Sequence, residues 1–246
     1  MRPADLLRYS LWIAVAATAA RNRKEYGVPT AWLTHLAVNT MTLFLPDFLR
    51  LMRVPSGTTA YPDSTLHALL RTLDRRTRLD PNYAVYTAPL AAGFILSHPD
   101  FSIYHGRWAE RQFLGFGADS VPHAAAAYTL ARLVSESLLS LNEELPSGAP
   151  LTATVNLAVE HVDLAALLAV ALVTLIWEFS EYFAHVSELK ATGRDPSEIN
   201  MQWSLPDAIT DSISNLLGLV AAIAVRRRNL SLSTLDIPHP PDDVPA

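Results

Sequence analysis

The chain contains no cysteine, which excludes disulfides, thiolate metal sites and cysteine nucleophiles. It is also short of charge. Charged residues make up 17% of its 246 residues, against roughly 25% in ordinary globular domains. Nor is there an excess of positive charge: the net charge of −5 at pH 7 argues against a nucleic-acid-binding surface, which shows a basic face. There is no phosphate loop, dinucleotide fingerprint or Gly-x-Ser-x-Gly elbow. RQFLGFGAD carries two glycines but not the strand–turn–helix context. No apolar–polar alternation runs long enough to propose a sheet.

What remains is apolar and segregated. Half of the residues are hydrophobic and the mean hydropathy is +0.18. Charge and proline gather in 55–82, 99–120, 142–156, 186–206 and 226–246. Between them the pattern predicts six helices, near 4–20, 29–53, 83–98, 121–142, 157–185 and 206–227. Pro29, Pro122 and Pro206 fall where a first turn tolerates a missing N–H, and Ser204 is a candidate N-cap. Leu164–Ile176 is apolar but for Thr174 and Leu216–Val225 nearly so, long enough with their flanks to cross a bilayer. Segments 29–53 and 121–142 carry His35, Asp47, Arg132 and Glu136.

The expected fold is all-α, a polytopic transmembrane helical bundle of about four to six spans. Residues 1–228 would form one membrane-embedded domain and 229–246 a disordered, proline-rich acidic tail. The start resembles a signal peptide loosely; a first membrane or interfacial helix fits better. Arg226–Arg228 put the C-terminus in the cytoplasm, and Arg71, Arg75, Arg76 and Arg78 agree, whereas Arg21, Arg23 and Lys24 do not. The expected partner is the lipid bilayer, the expected location a bacterial inner membrane, crossed several times.

Asp207, Asp211 and Asn215 stand at four-residue spacing and share one helical stripe. The expected topology places that stripe's acidic end level with Asp119 and His123 and with Glu178, Glu181 and His185. Glu178–Glu181 and Glu181–His185 are three and four residues apart, on one helical face. Carboxylate with imidazole suits zinc, iron or manganese, which gives His123, Glu178, Glu181, His185 and Asp211 as candidate ligands. Each residue also has a structural reading. Asp207 stabilises a helix start, Asp211 and Asn215 bond between helices, and His123 is a hydrogen-bonded interface histidine. Glu178 and Glu181 face water, and His185 is exposed. Trp177, Tyr182, Phe183 and Trp203 read as interfacial aromatic anchors. His98, His105, His161 and His239 show no partner pattern.

FGADSVPHAAAAYTLARLV resembles the Asp-x-x-x-His helix of VanZ-like and YjdF-like bacterial membrane proteins. WEFSEY resembles the Trp-Glu-x-x-Glu helix of the YjdF-like group, and Trp203 with DAITDSISNLLG its final Asp-x-x-x-Asp helix. The resemblance spans about residues 84–227 and implies a multi-span inner-membrane protein, with Asp119, His123, Glu178, Glu181, Asp207, Asp211 and Asn215 as motif positions. Ala124–Ala127 and the long 186–205 segment depart from the pattern.

Three functions fit these residues: a divalent-metal pocket acting on an envelope or lipid-linked substrate, a polar stripe that only locks helix packing, and a proton- or ion-coupled carrier. A soluble helical protein is a fourth reading. Whether the chain is an enzyme is left open by the sequence.

Overall fold

The structure is a computed structural model that describes residues 2–27, 30–52, 64–195 and 199–235. Among these, regular structure is helical: α1 (Pro3–Tyr26), α2 (Thr30–Leu51), α3 (Thr65–Asp74), α4 (Tyr83–Ile95), α5 (Ser120–Glu144), α6 (Thr152–Glu160), α7 (Val162–Thr192) and α8 (Leu205–Leu235). One tight turn, Phe113–Phe116, interrupts the irregular segment before α5. Pro29 and the tail from residue 236, including His239, lie outside the described residues.

Five of the six expected helices form, the other is split in two, and one further helix, α3, appears. Residues 65–74 have their leucines at helical spacing behind a row of arginines, and this charge disguised α3 as a loop. Ser64 caps it, accepting from the His67 N–H. The expected helix 157–185 is broken at His161, whose backbone (φ −112°, ψ 43°) leaves the helical region and separates α6 from α7. Gly193 ends α7 in the left-handed conformation (φ 59°), which glycine adopts without strain.

α5 lies at the centre and packs against α3, α4, α6, α7 and α8. Its closest partner is α8. A side chain at Gly218 would come within 2.0 Å of the Ala124 carbonyl oxygen, so the two backbones touch there. Ala127 and Ala131 of α5, Ala166 and Val170 of α7, and Leu219 and Ala222 of α8 form the core at this junction. The alanine run after His123 thus permits close helix approach. A second core joins Val15, Ala19, Leu43, Ala91 and Phe94 from α1, α2 and α4.

Pro46 sits inside α2 and cannot donate to the Thr42 carbonyl. The Tyr83 hydroxyl donates to that carbonyl instead, at 2.7 Å. Nearby, the buried Arg8 donates to the Leu43 carbonyl and pairs with Asp5 at 2.9 Å and Asp47 at 2.8 Å. Tyr9 also donates to Asp47, at 3.0 Å.

These contacts correct the expected transmembrane bundle. Among the described residues, two helices rather than four to six are long and apolar enough to cross a membrane, Val162–Thr192 and Leu205–Asn229. α1, α2 and α5 carry Arg8, Asp5, Asp47, Arg132 and Glu136, which the fold uses in ion pairs between and along its helices. The arginines expected to set orientation are also structural. Arg71 binds Glu144 at 2.8 Å, Arg76 binds Glu136 at 3.2 Å, and Arg78 holds Asp74 at 2.5 Å. Arg75 reaches Glu143 and Glu144, while Arg226 and Arg227 clamp Asp163 at the start of α7. The bilayer partner, the multi-pass inner-membrane location and the cytoplasmic C-terminus rested on span count and arginine placement, and fall with them. The first helix is likewise packed into the bundle, with Asp5, Arg8, Thr18 and Asn22 buried.

Candidate metal site

The polar stripe on α8 builds one wall of a cavity of about 880 Å³. Ser204 caps the helix, accepting from the Asp207 N–H at 3.3 Å. From there Asp211, Asn215, Gly218 and Ala222 follow at helical spacing. The lower part of this face is small and lets α5 approach. His123, in the first turn of α5 beside Ala124, therefore meets Asp211, with Nε2 3.3 Å from Oδ2. Asp119 immediately precedes α5, and its carbonyl accepts the His123 N–H. α7 supplies Glu178 and Glu181 from adjacent positions of one face.

Five carboxylates converge in two sets. In each, the offered oxygens lie within 4.8 Å of one another: Asp119, Asp207 and Asp211 in one, Glu178, Glu181 and Asp211 in the other. Asp211 belongs to both and is buried, 4% exposed. No lysine or arginine lines the cavity among the described residues.

Like charges without a cation raise proton affinity. Burial, then the charges of Asp207, Asp119, Glu181 and Glu178, push Asp211 up to about 9. Burial and the neighbouring Glu178 push Glu181 up to about 8. The Trp177 N–H is near enough to favour the Glu181 anion slightly, yet forms no hydrogen bond of acceptable geometry. Burial raises Glu178 too, opposed by the Trp203 indole, which donates to its Oε2 at 3.3 Å. Asp207 is open to the cavity but still surrounded by protein, and burial and then Asp119 raise it. Burial lowers His123, with Asp119 opposing. Two buried oxygens, Asp211 Oδ1 and Glu178 Oε1, have no hydrogen-bond partner. Unpaired buried polar atoms are uncommon, and they mark places where a ligand or ion fits.

Asn215 lines the same cavity but belongs to neither carboxylate set. Asn215 donates to the Thr174 hydroxyl at 3.0 Å and ties α8 to α7, the helix-packing role. His185 lines the cavity but joins neither carboxylate set. Its Nδ1 lies 2.9 Å from the Met201 carbonyl and 3.4 Å from the Trp203 backbone nitrogen, so the ring is held against the 201–203 segment. Of the aromatic residues expected as interfacial anchors, Trp177 and Trp203 are half-buried against other rings, whereas Tyr182 and Phe183 are exposed. Trp203 meets Tyr182 at 5.2 Å between ring centroids, and Trp177 meets His35 at 5.0 Å.

Tyr104, His105 and His35 also line the cavity and carried no sequence signal for it. Tyr104 and His105 lie in an irregular segment where helical spacing cannot assign a face. The Tyr104 hydroxyl donates to the Gly93 carbonyl at 3.2 Å. Burial, then the charges of Asp119, Glu181, Asp211 and Asp207, raise its proton affinity, which places it beside the same acids. His35 stacks on Phe94 at 4.7 Å, and burial holds it down to about 4.

Fold and site together define an all-helical bundle whose Asp and Glu groups, clustered around the buried Asp211, could coordinate a divalent metal ion. Comparison of the chain with protein families, with characterised proteins and with solved structures gave no match. The resemblance to VanZ-like and YjdF-like proteins is therefore corrected: the motif residues are present, but no family matches, and the helices interlock through ion pairs rather than as a polytopic span bundle.

Proposed function

We propose that this protein is a divalent-cation-binding protein whose site is the Asp119, Glu178, Glu181, Asp207 and Asp211 pocket. The observation that carries the reading is charge without compensation. Five carboxylates meet around a buried Asp211, no lysine or arginine lines their cavity among the described residues, and two buried carboxylate oxygens have no partner. Protons or a cation must supply the missing positive charge, and oxygens of different helices within 4.8 Å suit one coordination sphere.

The donor set is rich in oxygen. Of zinc, iron and manganese, it favours manganese, because imidazole and thiolate select the softer ions and carboxylates the harder ones. His123 acts behind the site: its Nε2 contacts Asp211 and fixes the tilt of that carboxylate. When bound, such an ion supplies Lewis acidity to a group in the cavity. Aromatic and aliphatic walls at Phe94, Leu130 and Val173 give that group an apolar surface to rest on.

The test is elemental analysis of purified protein after incubation with Mn²⁺ and dialysis into metal-free buffer. Stoichiometric manganese is expected in wild type and its loss in Asp211→Asn, with the helical circular dichroism unchanged. Wild type that retains no metal after this treatment would sink the reading.

A further inference from the structure

Two sets of ligands share one residue, and that arrangement constrains how many ions fit. Oxygens around a single Mg²⁺-sized ion, bound at about 2.1 Å, lie no more than about 4.2 Å apart. Within each set the offered oxygens lie within 4.8 Å of one another, so each set closes on one such ion with a small inward shift. The pair Asp119–Asp207 and the pair Glu178–Glu181 share Asp211 as their common member. One ion taken by the first set leaves the second set's two glutamates without a cation, and the reverse holds equally.

We infer that the site is dinuclear. One divalent ion is held by Asp119 and Asp207, a second by Glu178 and Glu181, and Asp211 bridges them. The inference rests on the cation-binding reading above and adds its stoichiometry and geometry. Asp211 suits the bridging position on independent grounds. It is 4% exposed, it lines the cavity, and its Oδ1 has no hydrogen-bond partner. Its Oδ2 lies 3.3 Å from His123 Nε2, so the histidine orients the carboxylate and leaves Oδ1 free. A carboxylate oxygen has two lone pairs and can serve two ions at once. Glu178 repeats the pattern on the second ion: Trp203 donates to Oε2, and Oε1 is unpartnered. In each case a ring nitrogen sits against one oxygen and the other is left without a partner. Two ions bridged in this way sit roughly 3.5–4 Å apart.

Mn²⁺ titration of the full-length, chelator-treated protein tests this, with manganese counted by elemental analysis and the spin state read by electron paramagnetic resonance. Wild type is expected to take two ions per chain and to show the spectrum of an exchange-coupled pair. Asp119→Asn, at a partly exposed position, is expected to keep one ion and to show the resolved hyperfine pattern of an isolated Mn²⁺. Glu181→Gln is expected to do the same from the other side. One ion per wild-type chain, or two without coupling, overturns the dinuclear site while leaving cation binding intact. No bound ion overturns both.

Discussion

Acidic side chains in this protein have two kinds of neighbour. Around α1 and α2, Asp5 and Asp47 surround the buried guanidinium of Arg8. Burial alone would raise Asp5, but Arg8 and Arg2 outweigh it and hold the carboxyl down to about 2. In the cavity, burial acts with the same sign and no guanidinium opposes it, so Asp211 rises to about 9. The same side chain thus stabilises the fold in one place and strains it in the other. Elsewhere in the bundle Asp74, Glu136, Glu144 and Asp163 all have arginine partners. The cavity acids stand outside that pattern, with no lysine or arginine lining their cavity among the described residues.

Breaking the paired region should produce the largest effect. Arg8→Ala leaves two carboxylates beside an apolar core, and removing one partner of a buried pair costs about 3–5 kcal/mol. Chemical denaturation should show that loss directly. Gly218→Ala comes next, because the added carbon meets the Ala124 carbonyl where the backbones touch. Forced overpacking of this kind costs about 1–3 kcal/mol, and it should also weaken metal binding by moving Asp211 away from His123.

Acid-to-amide substitutions sharpen the comparison by changing sign. Asp47→Asn should destabilise the protein, since Arg8, Arg50 and Tyr9 all contact that carboxylate. Asp211→Asn should stabilise the metal-free protein at pH 8 by roughly 1 kcal/mol while abolishing cation binding, the exchange of function for stability seen at strained sites. Thermal unfolding in chelator reads both.

The smallest effect is in the pH dependence, and it too has opposite signs. Asp5 falls from 3.8 to about 2, so its contribution is full above 3.8 and is lost as pH drops toward 2. Glu181 rises from 4.5 to about 8, so its contribution is full below 4.5 and is lost as pH climbs through 8. Metal-free protein should therefore weaken on both sides of a mildly acidic optimum. Glu181→Gln should flatten the alkaline side and leave the acid side unchanged.

Much of the helical framework was legible because apolar runs and first-turn prolines mark helices locally. The expected convergence of Asp119 and His123 with Glu178, Glu181 and Asp211 came from a membrane topology that the fold overturns; the carboxylates gather around Asp211 because α5, α7 and α8 pack together. What failed was the inference from apolar runs to spans. Hydropathy sees that Arg8, Asp47, Arg132 and Glu136 are charged but not that they find partners across the bundle. α3 was lost for the same reason, its arginines being read as a loop although they dock on Glu136 and Glu144 with the π-helical turn that follows it. Tyr104 could not be placed because it lies outside the helices, where sequence spacing carries no direction.

The central claim is that the cavity acids await a cation. The most direct test is the melting temperature of chelator-treated protein at pH 8, with and without Mn²⁺, in wild type and in Asp211→Asn. An ion bound only to the folded state at a hundred times its dissociation constant adds about 2.7 kcal/mol. Wild type should therefore melt several degrees higher with Mn²⁺ and Asp211→Asn should not respond. Identical melting of wild type with and without the ion would contradict the account.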